Sequence, residues 1–267
     1  MNIFKEEFRK LWKSAFLWGL AIGGFGLFYL AFYPSLAKNQ EGFMAIIDAM
    51  PKEILEALGM RYGLPLASIM GYFTLTFSMM QMAMGIQSAY YGVAILSEEE
   101  REQTADFLLT KPVTRGRIFR NKLFATICAL GISGLLQGAL ILFAVSRFHH
   151  GEDFDYSLIL KVLGSIPFLQ GVFLGMGMLL SMGFRKVRNI TSLSVGFVTV
   201  FYILNGIIAY LPIDQLRYFT PFHYFEAGYI VTENSYNMPF LLLAVGLILS
   251  TMVLSYLQYL RRDMEGV

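Results

Sequence analysis

The chain has 267 residues, of which 56% are hydrophobic and 15% are charged, and its mean hydropathy is +0.55. A soluble globular domain carries roughly 25% charged residues, so this composition excludes an ordinary soluble protein and indicates an integral membrane protein. The formal net charge of +2 is nearly neutral, and the basic residues lie at the ends of apolar segments, which argues against a nucleic-acid partner. The single cysteine, Cys128, excludes an intrachain disulfide and a cysteine metal site.

The first predicted element is an amphipathic helix over Asn2 to Lys13. Its apolar side chains recur at helical spacing: Phe4, Phe8, Leu11 and Trp12. Charged side chains fill the positions between them, which is the pattern of a helix that lies in the headgroup plane. The alternative interpretation is that this stretch simply extends the first membrane span.

Six apolar segments follow, and each has the roughly 20 residues that a tilted membrane-spanning helix needs. They cover about 15–33, 66–96, 123–146, 158–184, 190–211 and 239–260. All 19 acidic residues fall outside these segments, so none has to be buried in lipid. The sequence therefore predicts an all-α polytopic membrane protein whose residues 1–267 form a single transmembrane domain. The segment 66–96 is longer than one perpendicular crossing, and we expect it to tilt or to begin as an interfacial turn.

The distribution of lysine and arginine predicts the orientation in the membrane. With both termini inside, 15 of the 21 basic residues lie on the cytoplasmic side and 6 lie outside. The six outside are Lys38, Lys52, Arg61, Arg147, Lys161 and Arg217. Because cytoplasmic loops carry the excess of positive charge, we expect both termini and the loop between the second and third spans to be cytoplasmic.

The longest polar stretch, Ser97 to Lys122, connects the second and third predicted spans. Ser97 with Glu100 forms a capping-box pattern, which predicts a helix that begins at Ser97. Acidic residues crowd the start of this helix, where the helix dipole favours negative charge. They are Glu98, Glu99, Glu100 and Glu102.

The same stretch predicts the end of this helix and the start of another. Pro112 disfavours helical backbone at the residue before it, so the first helix should stop near Thr110. Thr114 can then cap a second helix that carries basic residues into the third span. Three apolar side chains remain in this otherwise polar stretch: Phe107, Leu108 and Leu109. Two interpretations stay open from these features, a surface that another protein grips and a solvated loop.

The connections on the opposite side carry two further predictions. Residues 34–65 contain the alternating apolar and charged pattern of a short amphipathic helix. Residues 212–238 are rich in aromatic side chains around Pro221, which suits the headgroup layer. Pro221 can break a helix that dips into the membrane and returns, and such backbone is tolerated where protein covers it.

Together with this topology, two motifs and a charged tail resemble the permease subunit of ABC-2 type ATP-binding-cassette transporters over nearly the whole chain. The first motif, Leu-Leu-x-x-Pro-Val-x-Arg, consists of Leu108, Leu109, Pro112, Val113 and Arg115. The second motif, Pro-Phe-His-Tyr-Phe, runs from Pro221 to Phe225, and the tail is Arg261 to Asp263.

The resemblance implies an N-terminal elbow helix, six spans and a coupling helix in the Ser97–Lys122 loop that docks on a cytoplasmic ATPase subunit. The residues that it assigns to this contact are Glu98, Glu99, Glu100, Glu102, Thr104, Phe107, Leu108, Leu109, Pro112 and Arg115. Arg185 and Arg188 form a candidate second contact, although a simple topology anchor is an equal alternative. On the outer side, the resemblance assigns a re-entrant segment to Pro221, Phe222, His223 and Glu226.

The resemblance also implies the partners and the mechanism. Two permease subunits, identical or different, would rest on ATPase subunits in the prokaryotic cell membrane and export a substrate. No G-x-x-x-x-G-K-[ST] sequence occurs in the chain, so we expect ATP and Mg²⁺ on the ATPase subunit, no cofactor on this chain and no enzyme activity of its own. Spans that hold no acidic residue, and Lys161 near one end as their one basic residue, favour an amphiphilic or apolar substrate, such as a drug, a lipid or an antimicrobial peptide, while a polar substrate along Gln, Ser and Thr side chains stays open.

Other patterns have more modest interpretations. Three small-residue pairs predict close helix packing, within the chain rather than between chains. They are Gly19 with Gly23, Gly134 with Gly138, and Gly171 with Gly175. His149 and His150 adjoin three acidic residues, where a solvated loop is favoured over a metal site.

His223 and Glu226 define the competing functional class. They lie three residues apart, as a hydrogen-bonded pair on one turn of a helix would. A membrane enzyme or an accessory scaffold with six spans could use this pair as its site. Activity of the purified chain without an ATPase would favour that class, and co-purification of an ATPase would favour the permease.

Overall fold

The computed structural model of the protein describes residues 3–39, 42, 49–51, 64–65, 67–101, 114–184, 189–211 and 214–261. Its helices in these ranges are α1 (Ile3–Leu30), α2 (Tyr33–Lys38), α3 (Ile69–Arg101), α4 (Arg115–Phe148), α5 (Tyr156–Gly164), α6 (Ile166–Met182), α7 (Ile190–Tyr210), α8 (Ala227–Glu233) and α9 (Met238–Arg261). Two short 3₁₀ helices, Asp214–Phe219 and His223–Phe225, precede α8. No β-strand occurs in the described ranges.

Six segments of the described chain are long and apolar enough to cross a membrane. They are Ile3–Lys38, Ile69–Ile95, Arg115–Phe148, Tyr156–Met182, Ile190–Ile208 and Met238–Arg261. These segments correspond one for one to the predicted spans, so the all-α, six-span prediction is confirmed. In lipid a backbone must satisfy its own polar groups, which is why apolar segments of this length fold as helices.

The N-terminal amphipathic stretch is not a separate helix. α1 runs without a break from Ile3 to Leu30, so the charged segment up to Lys13 and the first span form one element. This arrangement agrees with the alternative interpretation, an extension of the first span. The backbone turns after Leu30 and resumes as α2, with Pro34 in the first turn, where its missing amide proton costs nothing. The short helix predicted within 34–65 lies largely outside the described residues.

The predicted helix start at Ser97 is wrong. α3 continues through this residue to Arg101, and the Ser97 Oγ donates a hydrogen bond of 2.7 Å to the carbonyl oxygen of Val93. No proline or glycine lies between Val93 and Arg101, so nothing stops the helix of the second span, and the serine hydroxyl bonds back one turn instead of capping. The predicted break near Thr110 and Pro112 lies outside the described residues.

One other boundary lies at its predicted position, and the fourth span contains a break that was not predicted. Thr114 is the N-cap of α4 by position, with extended backbone, although its side chain makes no capping hydrogen bond. The fourth span is divided at Ser165 into α5 and α6, and the Ser165 Oγ donates to the carbonyl oxygen of Val162 at 2.6 Å. Pro167 lies in the first turn of α6, where it lacks the amide proton that would continue the helical ladder of α5.

Glycines allow the closest contacts between helices. α1 packs along α4, where a Cβ added to Gly23 would lie 3.0 Å from the Cα of Gln137. α3 packs along α6, where a Cβ added to Gly177 would lie 2.6 Å from the carbonyl oxygen of Ala89. Small residues thus let backbones approach closely where lipid supplies no hydrophobic drive for helix association.

The three predicted glycine pairs differ in how tightly they pack. The pair Gly19–Gly23 faces α4 within the same chain, and a Cβ added to Gly171 would lie 2.9 Å from the Cδ1 of Ile248 on α9. The nearest atoms to a Cβ at Gly134 and Gly138 lie at 3.3 Å and 3.7 Å, so this pair packs more loosely. All three pairs have neighbours within the chain.

The long helices run in two opposite directions. Tyr29 near the end of α1 stacks on Tyr72 near the start of α3, and Ser14 in the first half of α1 is hydrogen-bonded to Tyr91 in the last third of α3, so these helices are antiparallel. Phe119 near the start of α4 contacts Tyr259 near the end of α9. The start of α1, the end of α3, the start of α4 and the end of α9 therefore gather at one end of the bundle, the loop end. The opposite end, the hairpin end, carries residues 214–237, which we name the hairpin.

Candidate functional site

The predicted ATPase contact lies at the loop end. The structure describes the two helix ends that flank this loop, the end of α3 and the start of α4, which we name the base of the loop. Glu98, Glu99 and Glu100 lie in the last turn of α3, where the backbone is described and the side chains are not. Arg115 is the first residue of α4 and is half-buried. The other predicted contact residues fall outside the described residues: Glu102, Thr104, Phe107, Leu108, Leu109, Pro112, Arg185 and Arg188. Their roles stay predictions.

The base of the loop is packed against the last helix. Phe119, in the first turns of α4, is 2% exposed, and its ring centroid lies 5.4 Å from that of Tyr256 and 5.6 Å from that of Tyr259. A Cβ added to Gly116 would lie 2.7 Å from the Tyr256 hydroxyl oxygen, so the glycine makes room for this ring. Aromatic pairs of this kind add about 0.5–1.5 kcal/mol beyond the area that they bury. α4 and α9 are therefore held together where the loop ends.

One turn further along α4, Lys122 is buried inside the bundle. Its side chain is 5% exposed, and its Nζ lies 3.4 Å from the carbonyl oxygen of Ile95 on α3. Lys122 is one of the basic residues that the sequence places on the helix after Thr114, and its burial was not predicted. Helical spacing could have indicated this burial, because Lys122 shares a face of α4 with the buried Phe119 and Thr126.

A buried polar network joins α1, α3 and α4 midway along α3. The Gln87 Nε2 donates to the Ser133 Oγ at 2.9 Å, and the Gln137 Nε2 donates to the same oxygen at 3.0 Å. Tyr91, one turn after Gln87, donates to the Ser14 Oγ at 2.9 Å. Because a buried polar group is costly without a partner, these bonds fix α3 against its neighbours.

At the hairpin end, the chain folds into the bundle. The helical backbone is broken at Pro221, as the proline predicts, and the side chains from Phe222 to Phe225 are buried. The Gln81 Nε2 donates to the carbonyl oxygen of Phe225 at 2.8 Å. Gln81 lies twelve residues after Ile69, the first residue of α3, which is about 18 Å along the helix. The backbone after Pro221 therefore reaches deep between the helices.

Aromatic contacts fix the hairpin between α6 and α7. The ring centroid of Phe222 lies 4.8 Å from that of Phe173 on α6 and 5.3 Å from that of Tyr202 on α7. Phe225 stacks on Phe168 of α6 at 5.9 Å. The hairpin is therefore an integral part of the core at this end of the bundle.

His223 and Glu226 form a pair within the hairpin. The His223 Nδ1 lies 2.8 Å from the Glu226 Oε1, and the histidine side chain is 6% exposed. The His223 ring also meets Phe240 of α9 edge-on, at 5.1 Å between centroids. Tyr224 stacks on Phe240 as well, and its hydroxyl donates to the carbonyl oxygen of Tyr218. Burial raises the pKa of Tyr224 to about 12. These contacts attach the hairpin to the start of α9.

The side chains around His149 and His150 are used in hydrogen bonds that the sequence did not reveal. The His149 Nδ1 lies 3.0 Å from the backbone oxygen of Glu152. The Glu152 Oε2 accepts a hydrogen bond of 2.9 Å from the amide of Ile69, where the dipole of α3 favours a carboxylate. In the part of the chain that the structure describes, no three His, Cys, Asp or Glu side chains are placed to hold a metal ion.

Comparison with known families gives a match that covers nearly the whole chain. The model of a family described as ABC-2 family transporter protein matches residues 1–264. The matched range includes the loop end, the hairpin and all six membrane-spanning segments. No curated protein matches the chain.

Proposed function

Because the chain belongs to the ABC-2 family of transporter proteins, we propose that its six spans form the permease of an exporter for an amphiphilic or apolar substrate. Permeases of this family are the membrane part of an ABC transporter, are not enzymes by themselves and typically work with an ATPase subunit. In this proposal ATP and Mg²⁺ bind to the ATPase subunit, and this chain supplies the path through the membrane. The observation that carries the proposal is the family match over residues 1–264.

We assign the ATPase contact to the loop between α3 and α4. The apolar Leu108 and Leu109 supply the surface for the ATPase, and the acidic run from Glu98 to Glu102 supplies polar contacts beside it. The base of this loop supports the assignment, because Phe119 packs on α9 and Lys122 contacts α3. Because these contacts connect the base of the loop to α3 and α9, a movement of the loop is transmitted to α3, α4 and α9 together. No flexible hinge at the base takes up the movement.

We place the loop end on the cytoplasmic side of a prokaryotic cell membrane. The excess of basic residues on that side motivates this orientation. The start of α1 and the end of α9 lie at the same end of the bundle as the loop, as an orientation with both termini inside requires. A second permease subunit, identical or related, completes the transporter.

The substrate class is inferred from the side chains of α3. Four hydroxyl side chains of this helix donate to its own carbonyl oxygens: Thr74, Thr76, Ser78 and Ser88. Met80 and Met84 are buried in the core, whereas Met79 and Met82 are half-buried on another side of the helix. Methionine adapts to varied apolar shapes, so this side of α3 suits an apolar or amphiphilic substrate better than a polar one.

Purification of the tagged protein in mild detergent tests the ATPase contact. We expect an ATP-binding-cassette ATPase to co-purify with the wild-type chain and to be lost from Leu108→Asp, because a carboxylate cannot be buried in an apolar contact. Phe219→Asp is the matched control, since Phe219 is 70% exposed in the hairpin at the opposite end. Loss of the ATPase from both variants, or from neither, would contradict the assignment.

The competing membrane enzyme or scaffold would use the pair of His223 and Glu226. The contacts of this pair join the hairpin to α9, which is a structural task within a permease. An intact wild-type protein that recovers no ATPase and that loses an activity on His223→Ala would favour the enzyme.

A further inference from the structure

Lys122 lies at a buried position where an apolar side chain would be expected from packing alone. The other basic residues of α4 are half-buried or exposed, whereas Lys122 is 5% exposed between α3 and α4. A buried basic side chain is destabilising unless polar groups surround it. Methionine has a similar volume and would fill the same space without that penalty. The presence of lysine therefore points to a role beyond filling the core.

The contact made by Lys122 spans the base of the loop. Its Nζ lies 3.4 Å from the carbonyl oxygen of Ile95, and the two residues are 27 positions apart, on either side of the loop. A carbonyl oxygen has two lone pairs, so Ile95 can accept this contact in addition to its helical hydrogen bond. One side chain thus joins the last turns of α3 to the first turns of α4.

We propose that Lys122 is a positioning residue for energy coupling, which ties α3 to α4 so that both helices move together when the ATPase displaces the loop. This inference rests on the proposed ATPase contact. Phe119, one turn earlier, connects the same part of α4 to α9 through Tyr256 and Tyr259. Without the contact between Lys122 and Ile95, a displacement of the loop moves α4 and α9 but is not transmitted fully to α3.

The test compares two substitutions of Lys122 with a matched control. Lys122→Met keeps the volume and removes the hydrogen-bond donors, and Lys122→Arg keeps a basic donor group. Arg120→Met is the control, because Arg120 is exposed and its Nε donates at 3.2 Å to Gly116 of its own helix. The permease and its ATPase are reconstituted in lipid nanodiscs, and we measure ATPase retention and the change in ATP hydrolysis that the permease causes.

We expect Lys122→Met to retain the ATPase like the wild type. The change in ATP hydrolysis that the permease causes should be roughly tenfold smaller with Lys122→Met than with the wild type. A tenfold change corresponds to about 1.4 kcal/mol of coupling free energy. Lys122→Arg and Arg120→Met should stay close to the wild type. Wild-type coupling in Lys122→Met would overturn the inference and leave the proposed function intact, whereas a wild-type permease without any ATPase would overturn both.

Hydrogen exchange of the permease alone separates positioning from a general loss of stability. Amides of residues 95–101 should exchange roughly tenfold faster in Lys122→Met, because a hydrogen-bond donor to this part of α3 is gone. Amides of α6 should exchange as in the wild type. Faster exchange throughout the chain would show that Lys122 merely holds the fold together, and this result would contradict the proposal.

Discussion

The contact between α3 and α6 makes a quantitative prediction at Gly177. A Cβ added there would lie 2.6 Å from the carbonyl oxygen of Ala89 and 3.0 Å from its Cα, and these backbone atoms cannot rotate away. Restoring an ordinary separation of 3.4 Å requires the helices to part by about 0.8 Å, the difference between 3.4 and 2.6 Å. A gap of this size forfeits roughly a quarter to a half of the dispersion energy of the contacting atoms.

The expected cost of Gly177→Ala follows from two opposing terms. Overpacking a core costs about 1–3 kcal/mol, and alanine is favoured over glycine in a helix by about 1 kcal/mol. A clash against backbone places the first term near its upper limit, so we expect a net loss of about 1–2 kcal/mol. Gly24→Ala is the control, because a Cβ at Gly24 of α1 would meet nothing within 4 Å. This control should be neutral or more stable by up to about 1 kcal/mol.

Thermal unfolding in detergent, followed by circular dichroism of the helices, measures the difference. For a chain of this size, 1 kcal/mol shifts the midpoint by about 2–4 °C, so we expect Gly177→Ala to unfold roughly 2–12 °C below Gly24→Ala. Equal midpoints for the two variants would refute the reasoning, because they would mean that α3 and α6 do not approach this closely.

Two further predictions concern the hairpin. Gln81→Leu leaves the buried carbonyl of Phe225 without its partner, at a cost of about 1–3 kcal/mol, so limited proteolysis should cut the hairpin faster than in the wild type. Unchanged resistance to protease would count against a hairpin fixed by this bond. His223→Ala and Glu226→Ala should lower permease-dependent ATP hydrolysis less than Leu108→Asp does, because the pair attaches the hairpin at the end opposite the loop. An equal or larger loss at the pair would reverse this ranking.

The membrane spans could be predicted from the sequence because one physical rule governs them. An apolar segment of about 20 residues in lipid must satisfy its backbone internally, so its length and composition suffice to predict a helix. The break at Pro221 follows equally directly from the missing amide proton. These features depend on local sequence alone.

Ser97 shows where a local rule fails. Its capping-box pattern with Glu100 is a real helix-start signal, but a start requires that the preceding helix has stopped. The residues before Ser97 contain no stop signal after Gly92, so the helix of the second span continues and the serine bonds back to Val93. A capping-box pattern therefore predicts a helix start only where a stop signal precedes it.

Partners that are distant in sequence could not be predicted. Gln81 bonds to the backbone of Phe225, 144 positions away, and Gln87 bonds to Ser133, 46 positions away. The sequence shows that polar residues occupy the second span, but their partners depend on how the helices pack. The contact of Lys122 with Ile95 could not be predicted for the same reason, although helical spacing places Lys122 on the buried face of α4.

Site-specific photocrosslinking from position 108 tests the central claim most directly. A photoreactive amino acid is placed at Leu108, and at Phe219 as the control, and adducts formed in membranes are identified by mass spectrometry. We predict a covalent adduct with an ATP-binding-cassette ATPase from position 108 and none from position 219. An adduct with lipid or with another protein at position 108, while the ATPase is present, would contradict the assignment of this loop as the coupling contact.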